Sequence, residues 1–130
     1  MTYKPSKREI EEMAKEVRSF LIEHSLWIDT TIYFNGKAFT TSKNGHYAYN
    51  DPNDLLEISN VDPAKMFDYT NPDHILSMSF EGPLYDVLNF DGEYSSAFCN
   101  EIEGGLRDIF AKRGCYYELG NSWNLSLFLQ

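Results

Sequence analysis

Cysteine is nearly missing from this sequence, which holds Cys99 and Cys115 and no others. Two cysteines so far apart make no Cys-x-x-Cys motif, and they exclude the disulfide framework that staples many small secreted domains. A helix is predicted between them, and at about 1.5 Å rise per residue it holds them roughly 24 Å apart, far beyond disulfide reach. Both are expected as free, buried, inert thiols. Long apolar runs are missing too. Nothing approaches the run of about 18 apolar residues that marks a membrane span, and "MTYKPSKREIEEMAKE" puts charges where a secretory leader needs an apolar stretch. The expectation is a cytoplasmic protein with no membrane contact.

Metal-ligand and catalytic spacings are also lacking. His24, His46 and His74 lie singly in separate segments, and "DPNDLLE" has neither the alternating acids nor the glycine of a calcium loop. No metal and no cofactor are expected. The step "SFEGPLYDVLNF" from strand through Gly82-Pro83 to helix resembles a phosphate loop or a nucleophile elbow in outline only. It lacks the extra glycines and lysine of the first and the Ser or Cys of the second, and Glu81 would repel an anion. Gly82-Pro83 is helix-start punctuation. Acids are so plentiful that a pair such as Glu81 with Asp86 has no specificity for acid–base catalysis. Nothing in the chain marks an enzyme.

Positive charge is scarce in one region. Residues 44–106 contain twelve Asp or Glu and Lys65 as their only Lys or Arg, whereas residues 1–43 hold seven Lys or Arg; the net charge is −9. An acidic middle repels phosphate backbones and anionic lipid, which excludes direct nucleic-acid and membrane-surface binding and favours a basic protein partner.

What the sequence does contain is enough for a core. With 130 residues, 42% of them hydrophobic, and nine Phe, nine Tyr and two Trp, it fits one domain spanning 1–130. Ser6 and Glu9 form a capping box, and Ile10, Met13, Ala14, Val17, Phe20 and Leu21 follow at helical spacing, predicting a helix over 6–24. In "IDTTIYFNGKAFTTS", Asn35-Gly36 suits a type I′ turn between alternating strands. Pairing 34 with 37 and 32 with 39 sends Ile28, Thr30, Ile32, Phe34 and Phe39 to a core face. Asp29, Thr31, Tyr33, Thr40 and Ser42 go to a wet one.

"HYAYN" is expected to add a third strand after Asn44-Gly45, and residues 54–60 form a weaker strand. Asp62-Pro63 starts one or two helical turns in "DPAKMFDY". "ILSMSF" is a strand with Leu76, Met78 and Phe80 inward and Ser77 and Ser79 outward. A short amphipathic turn follows on Leu84, Val87 and Leu88. A helix over 95–112 buries Phe98, Ile102, Leu106, Ile109 and Phe110 and stops at Gly114, its Gly104-Gly105 pair permitting a close backbone approach. "CYYELGNSWNLSLFLQ" closes the chain as a hairpin turning at Gly120-Asn121, with Trp123, Leu125, Leu127 and Leu129 alternating against Ser122, Asn124, Ser126 and Phe128. Helices at both ends of a run of strands give an α+β fold: five to seven antiparallel strands with two main helices packed on one face.

Two surfaces emerge as candidates for binding. The first is a polar sheet face carrying Tyr33, Thr40, Ser77, Ser79, Tyr117 and Asn124 outward, small hydroxyls with tyrosine being an adaptable contact surface that also suits self-association into a homo-oligomer. The second is the acidic group Asp86, Asp91 and Glu93. The functional expectation is a small acidic interaction protein, an inhibitor, immunity-type or bacterial-type accessory protein, that binds a basic protein without catalysis. The alternative is a small-molecule-binding or hydrolytic domain with a cleft between the sheet and residues 60–90.

Overall fold

A computed structural model describes residues 4–62, 65 and 75–130. Helix α1, Lys7–Glu23, starts as its capping box dictates: the Ser6 hydroxyl accepts the Glu9 N–H at 3.2 Å, and the Glu9 carboxylate accepts the Ser6 N–H at 3.1 Å. Its buried stripe is Ile10, Met13, Ala14, Val17 and Leu21, joined by Arg18. The Arg18 guanidinium lies 3.7 Å from the centre of the Phe39 ring, so its buried charge faces a π-cloud.

Strands β1, Thr30–Phe34, and β2, Lys37–Thr40, form the expected hairpin. Asn35 and Gly36 take φ of 50° and 75°, as a type I′ turn requires, and the register pairs Phe34 with Lys37 and Ile32 with Phe39. The third strand is a correction. Ser42–Lys43 (β3) pairs with His46–Tyr47 (β4) in a separate two-stranded ribbon outside the main sheet. The weak strand predicted over 54–60 is β5, Leu56–Ser59, on the outer edge of β2. The helical turns expected in "DPAKMFDY" fall outside the described residues, save Asp62 and Lys65.

Strand β6, Leu76–Phe80, pairs with β1 along its whole length and leads through Gly82 into the short helix α2, Pro83–Leu88. A Cβ at Gly82 would run into the Ile28 carbonyl oxygen, so glycine is what lets the chain pass so close to β1. Helix α3, Ser96–Ala111, is capped by the Ser95 hydroxyl, which accepts the Phe98 N–H at 3.1 Å. Strands β7, Cys115–Asn121, and β8, Asn124–Leu129, complete a six-stranded antiparallel sheet in the order β5-β2-β1-β6-β8-β7.

The final turn differs from the one expected. Asn121 pairs directly with Asn124, so Ser122 and Trp123 make the turn and a bulge between Leu119 and Asn121 takes up Gly120. The cause is the Asn121 side chain, whose Oδ1 accepts both the Trp123 N–H at 3.0 Å and the Asn124 Nδ2–H at 2.9 Å. Trp123 is thereby lifted off the core face where alternation had put it.

Helices α1 and α3 pack on one face of the sheet, burying Val17, Leu21, Ile102, Leu106 and Phe110 against Ile32, Met78 and Leu125. Phe98 and Ile109 lie at the margin of this core, partly buried. Among the described residues no helix is long and apolar enough to cross a membrane.

Candidate functional site

The period-2 alternation of strands carries polar residues onto the face opposite the helices, and the register lines them up. Thr40, Thr31, Ser79, Asn124 and Asn121 stand opposite one another in turn, one row across β2, β1, β6, β8 and β7. A second row runs Ala38, Tyr33, Ser77, Ser126 and Glu118. Hydroxyls join within and between the rows: Thr31 to Thr40 at 3.2 Å, Ser77 to Ser126 at 2.9 Å, and Tyr33 to Ser79 at 3.5 Å. Five of the six residues predicted for this face therefore do share it.

The face is not the solvated surface that alternation suggested. Thr40, Ser77, Asn124 and Ser126 are buried, and Tyr33 packs with Ala38 in a second apolar cluster that Ile58, Val61 and Trp123 close over. The Trp123 ring is available for this because the Asn121 turn turned it to this side. Asn124 Oδ1 is buried with no hydrogen-bond partner among the described residues. Tyr117 is a second correction: it pairs with Leu127 on the helix side. There its ring meets Phe110 edge-on at 6.0 Å, and its hydroxyl donates to Glu103 at 3.0 Å. Burial first, then the Glu103 charge, holds this phenol far above its ordinary value.

Where the first row reaches the start of β1 and the end of β6, a cavity of about 250 Å³ opens. It is lined by Thr31, Thr40, Ser79 and Trp123 and by two acids, Asp29 and Glu81. The backbone brings the acids together, since the Glu81 N–H donates to the Asp29 carbonyl at 3.0 Å. Asp29 sits at φ 49° and accepts a hydrogen bond from the Tyr49 hydroxyl at 3.0 Å. Burial and this bond raise the Tyr49 phenol above its usual range. The cleft expected between the sheet and residues 60–90 involves 63, 64 and 66–74, which lie outside the described residues.

The acidic group gathers at the end of α2. Asn89 caps the helix, the Phe90 N–H donates to the Val87 carbonyl at 3.3 Å, and the Asp91 N–H donates to the Asp86 carbonyl at 2.8 Å. This is a Schellman ending with Phe90 in the left-handed position that glycine usually holds, at φ 52°. The residue is 54% exposed. Asp91, Glu93 and Tyr94 are exposed beside it, with Tyr94 stacked on Phe98 at 5.3 Å. Asp86 is different, being half-buried, and a Cβ on Gly92 would come within 3.1 Å of its side chain.

Neither thiol adds chemistry to these surfaces. Cys99 and Cys115 are both buried, and burial pushes the Cys115 thiol up from its ordinary value, away from the reactive thiolate. Among the described residues no group of three His, Cys, Asp or Glu could hold a metal ion. Compared with protein-family models, with curated proteins and with solved structures, the chain matches none of them.

Sequence reasoning missed Asp29, Glu81 and Trp123 as partners, and missed Phe90 and Tyr94 as exposed aromatics. Asp29 and Glu81 are 52 positions apart and meet only through the β1–β6 pairing. For Phe90 a signal existed: "NFDG" after the apolar set of α2 puts an aromatic where a helix stop is due.

Proposed function

We propose that this protein is an acidic, cytosolic interaction protein of the inhibitor, immunity-type or accessory class. It binds a basic protein partner through the corner formed by the end of α2 and residues 90–94, and it carries out no catalysis. The observation that carries this reading is Phe90. A bulky residue in the left-handed region costs roughly 1 kcal/mol or more relative to glycine, and here the residue is left more than half exposed, so burial offsets little of that cost. Strain retained to present an exposed ring is what a binding anchor requires. Phe90 and Tyr94 supply apolar contact area, and Asp91 and Glu93 supply a field complementary to Lys and Arg. The residues 81–106 around them contain no Lys or Arg.

The test uses a partner captured from the native host and then purified. Its association rate should fall as ionic strength rises from about 0.01 M to 1 M, over which the Debye length shrinks from roughly 30 Å to 3 Å. Asp91→Lys with Glu93→Lys should slow association, and Phe90→Ala should speed dissociation, in proteins whose amide spectra are otherwise unchanged. Asp86 is left alone because it packs against Gly92 and its reversal would disturb the corner itself. Parental association by the double reversal and parental dissociation by Phe90→Ala would sink the proposal.

A further inference from the structure

We infer that the cavity between Asp29, Glu81 and the threonine row is a binding site for a guanidinium group, whether on a small molecule or on an arginine side chain. The argument is one of proton accounting. The single hydroxyl hydrogen of Thr40 goes to the Ser42 carbonyl at 3.2 Å, so in the Thr31–Thr40 pair it is Thr31 that donates. Thr31 has then spent its hydrogen and keeps its lone pairs. The two carboxylates can only accept at neutral pH. Of these, Asp29 has one bond, from Tyr49, and the Glu81 side chain has no partner among the described residues. No Lys, Arg or His lines the cavity. The wall thus carries two carboxylates with no cationic side chain to balance them, and Glu81 would repel an anion.

The complementary ligand is a cation rich in N–H donors. A guanidinium offers five N–H donors in one plane, matches carboxylates two bonds at a time, and stacks on an aromatic ring such as that of Trp123. An ammonium has three donors on a compact point charge and offers no plane to lay on an aromatic ring. The site is separate from the corner at Phe90, so either assignment can fail without the other.

The experiment is an amide and indole NMR titration of the full chain at pH 7. Methylguanidinium should give saturable shifts at Thr31, Thr40, Ser79 and the Trp123 indole, while methylurea, its neutral isostere, should give none at equal concentration. Asp29→Asn combined with Glu81→Gln should weaken binding at least about tenfold. Asn tolerates the left-handed backbone at 29 and Glu81 is exposed, so the fold should survive; Glu81→Gln alone, with a smaller loss, guards against the contrary. N-acetylarginine amide binding more tightly than methylguanidinium identifies a protein-borne arginine as the source, and equal binding identifies the free head group; both support the site. Absence of saturable shifts, an equal response to methylurea, or undiminished binding by the double variant would overturn it.

Discussion

Gly105 of α3 lies against the ring of Phe20 of α1 so closely that a Cβ on it would stand 2.7 Å from Phe20 Cε1. The His24 ring packs on the same phenyl ring at 4.6 Å, so a retreat of Phe20 would disturb that contact. Gly104, one position earlier, faces open space. The two glycines should therefore respond to the same substitution with opposite signs. Gly104→Ala should stabilise the fold by up to about 1 kcal/mol through helix propensity. Gly105→Ala should lose that gain to overpacking of about 1–3 kcal/mol and be neutral or destabilised. Urea midpoints that move upward together would show the contact to be soft.

Phe90→Gly should stabilise the isolated protein by about 1 kcal/mol, because glycine accepts the left-handed backbone that phenylalanine strains to hold. The exposed ring removes little core packing when lost. If instead the midpoint in urea falls, the ring is supporting the fold and not waiting for a partner.

The buried Ser77–Ser126 pair should behave non-additively. Ser77→Ala leaves the Ser126 hydroxyl buried without its 2.9 Å partner, at a cost of about 1–3 kcal/mol. Adding Ser126→Ala should recover much of that loss, since neither hydroxyl is then stranded. A double-mutant cycle with simple additivity would show that the two do not depend on each other.

A pH effect should come from the joint between α1 and the end of α3. Arg113 forks onto Glu16 at 2.9 and 3.4 Å, and Lys112 reaches the same carboxylate at 3.0 Å. The Arg113 hydrogen bond leads in holding Glu16 below its ordinary value of 4.5. A depressed folded-state value means the contribution is complete above pH 4.5 and is lost as pH falls from there through the folded value. The Glu16 side chain is 35% exposed, so solvent screening holds the joint to at most about 1 kcal/mol. Glu16→Gln should be less stable than the parent near neutrality and should lose less stability on acidification below 4.5. Parallel stability curves for the two proteins would contradict this.

The local signals in the chain carried the fold a long way. The capping box at Ser6, the Asn35-Gly36 turn, the alternation of "ILSMSF" and the helical spacing around Ile102 each act over a few residues, so composition and period suffice to read them. The final turn was misplaced because two local signals compete. Gly120-Asn121 looks like a turn, but the Asn121 carboxamide gains two hydrogen bonds by turning two residues later. That preference moved Trp123 to the other face. Tyr117 was misjudged for a similar reason, since a tyrosine suits an exposed strand as well as a half-buried one. Only the neighbouring Phe110 and Glu103 decide between them.

What the sequence determined by itself is therefore the main helices and strands, the α+β class, the Asn35-Gly36 hairpin and the acidic middle, all properties of adjacent residues. Tertiary structure decided which polar residues remain wet. Period 2 tells which side of a sheet a serine faces, but not what closes over that side, and so Ser77 and Asn124 were read as surface when they are core. It also decided the meeting of Asp29 with Glu81 and the exposure of Phe90. Charge proximity across 52 positions depends on strand register, and a strained φ depends on the whole turn that enforces it.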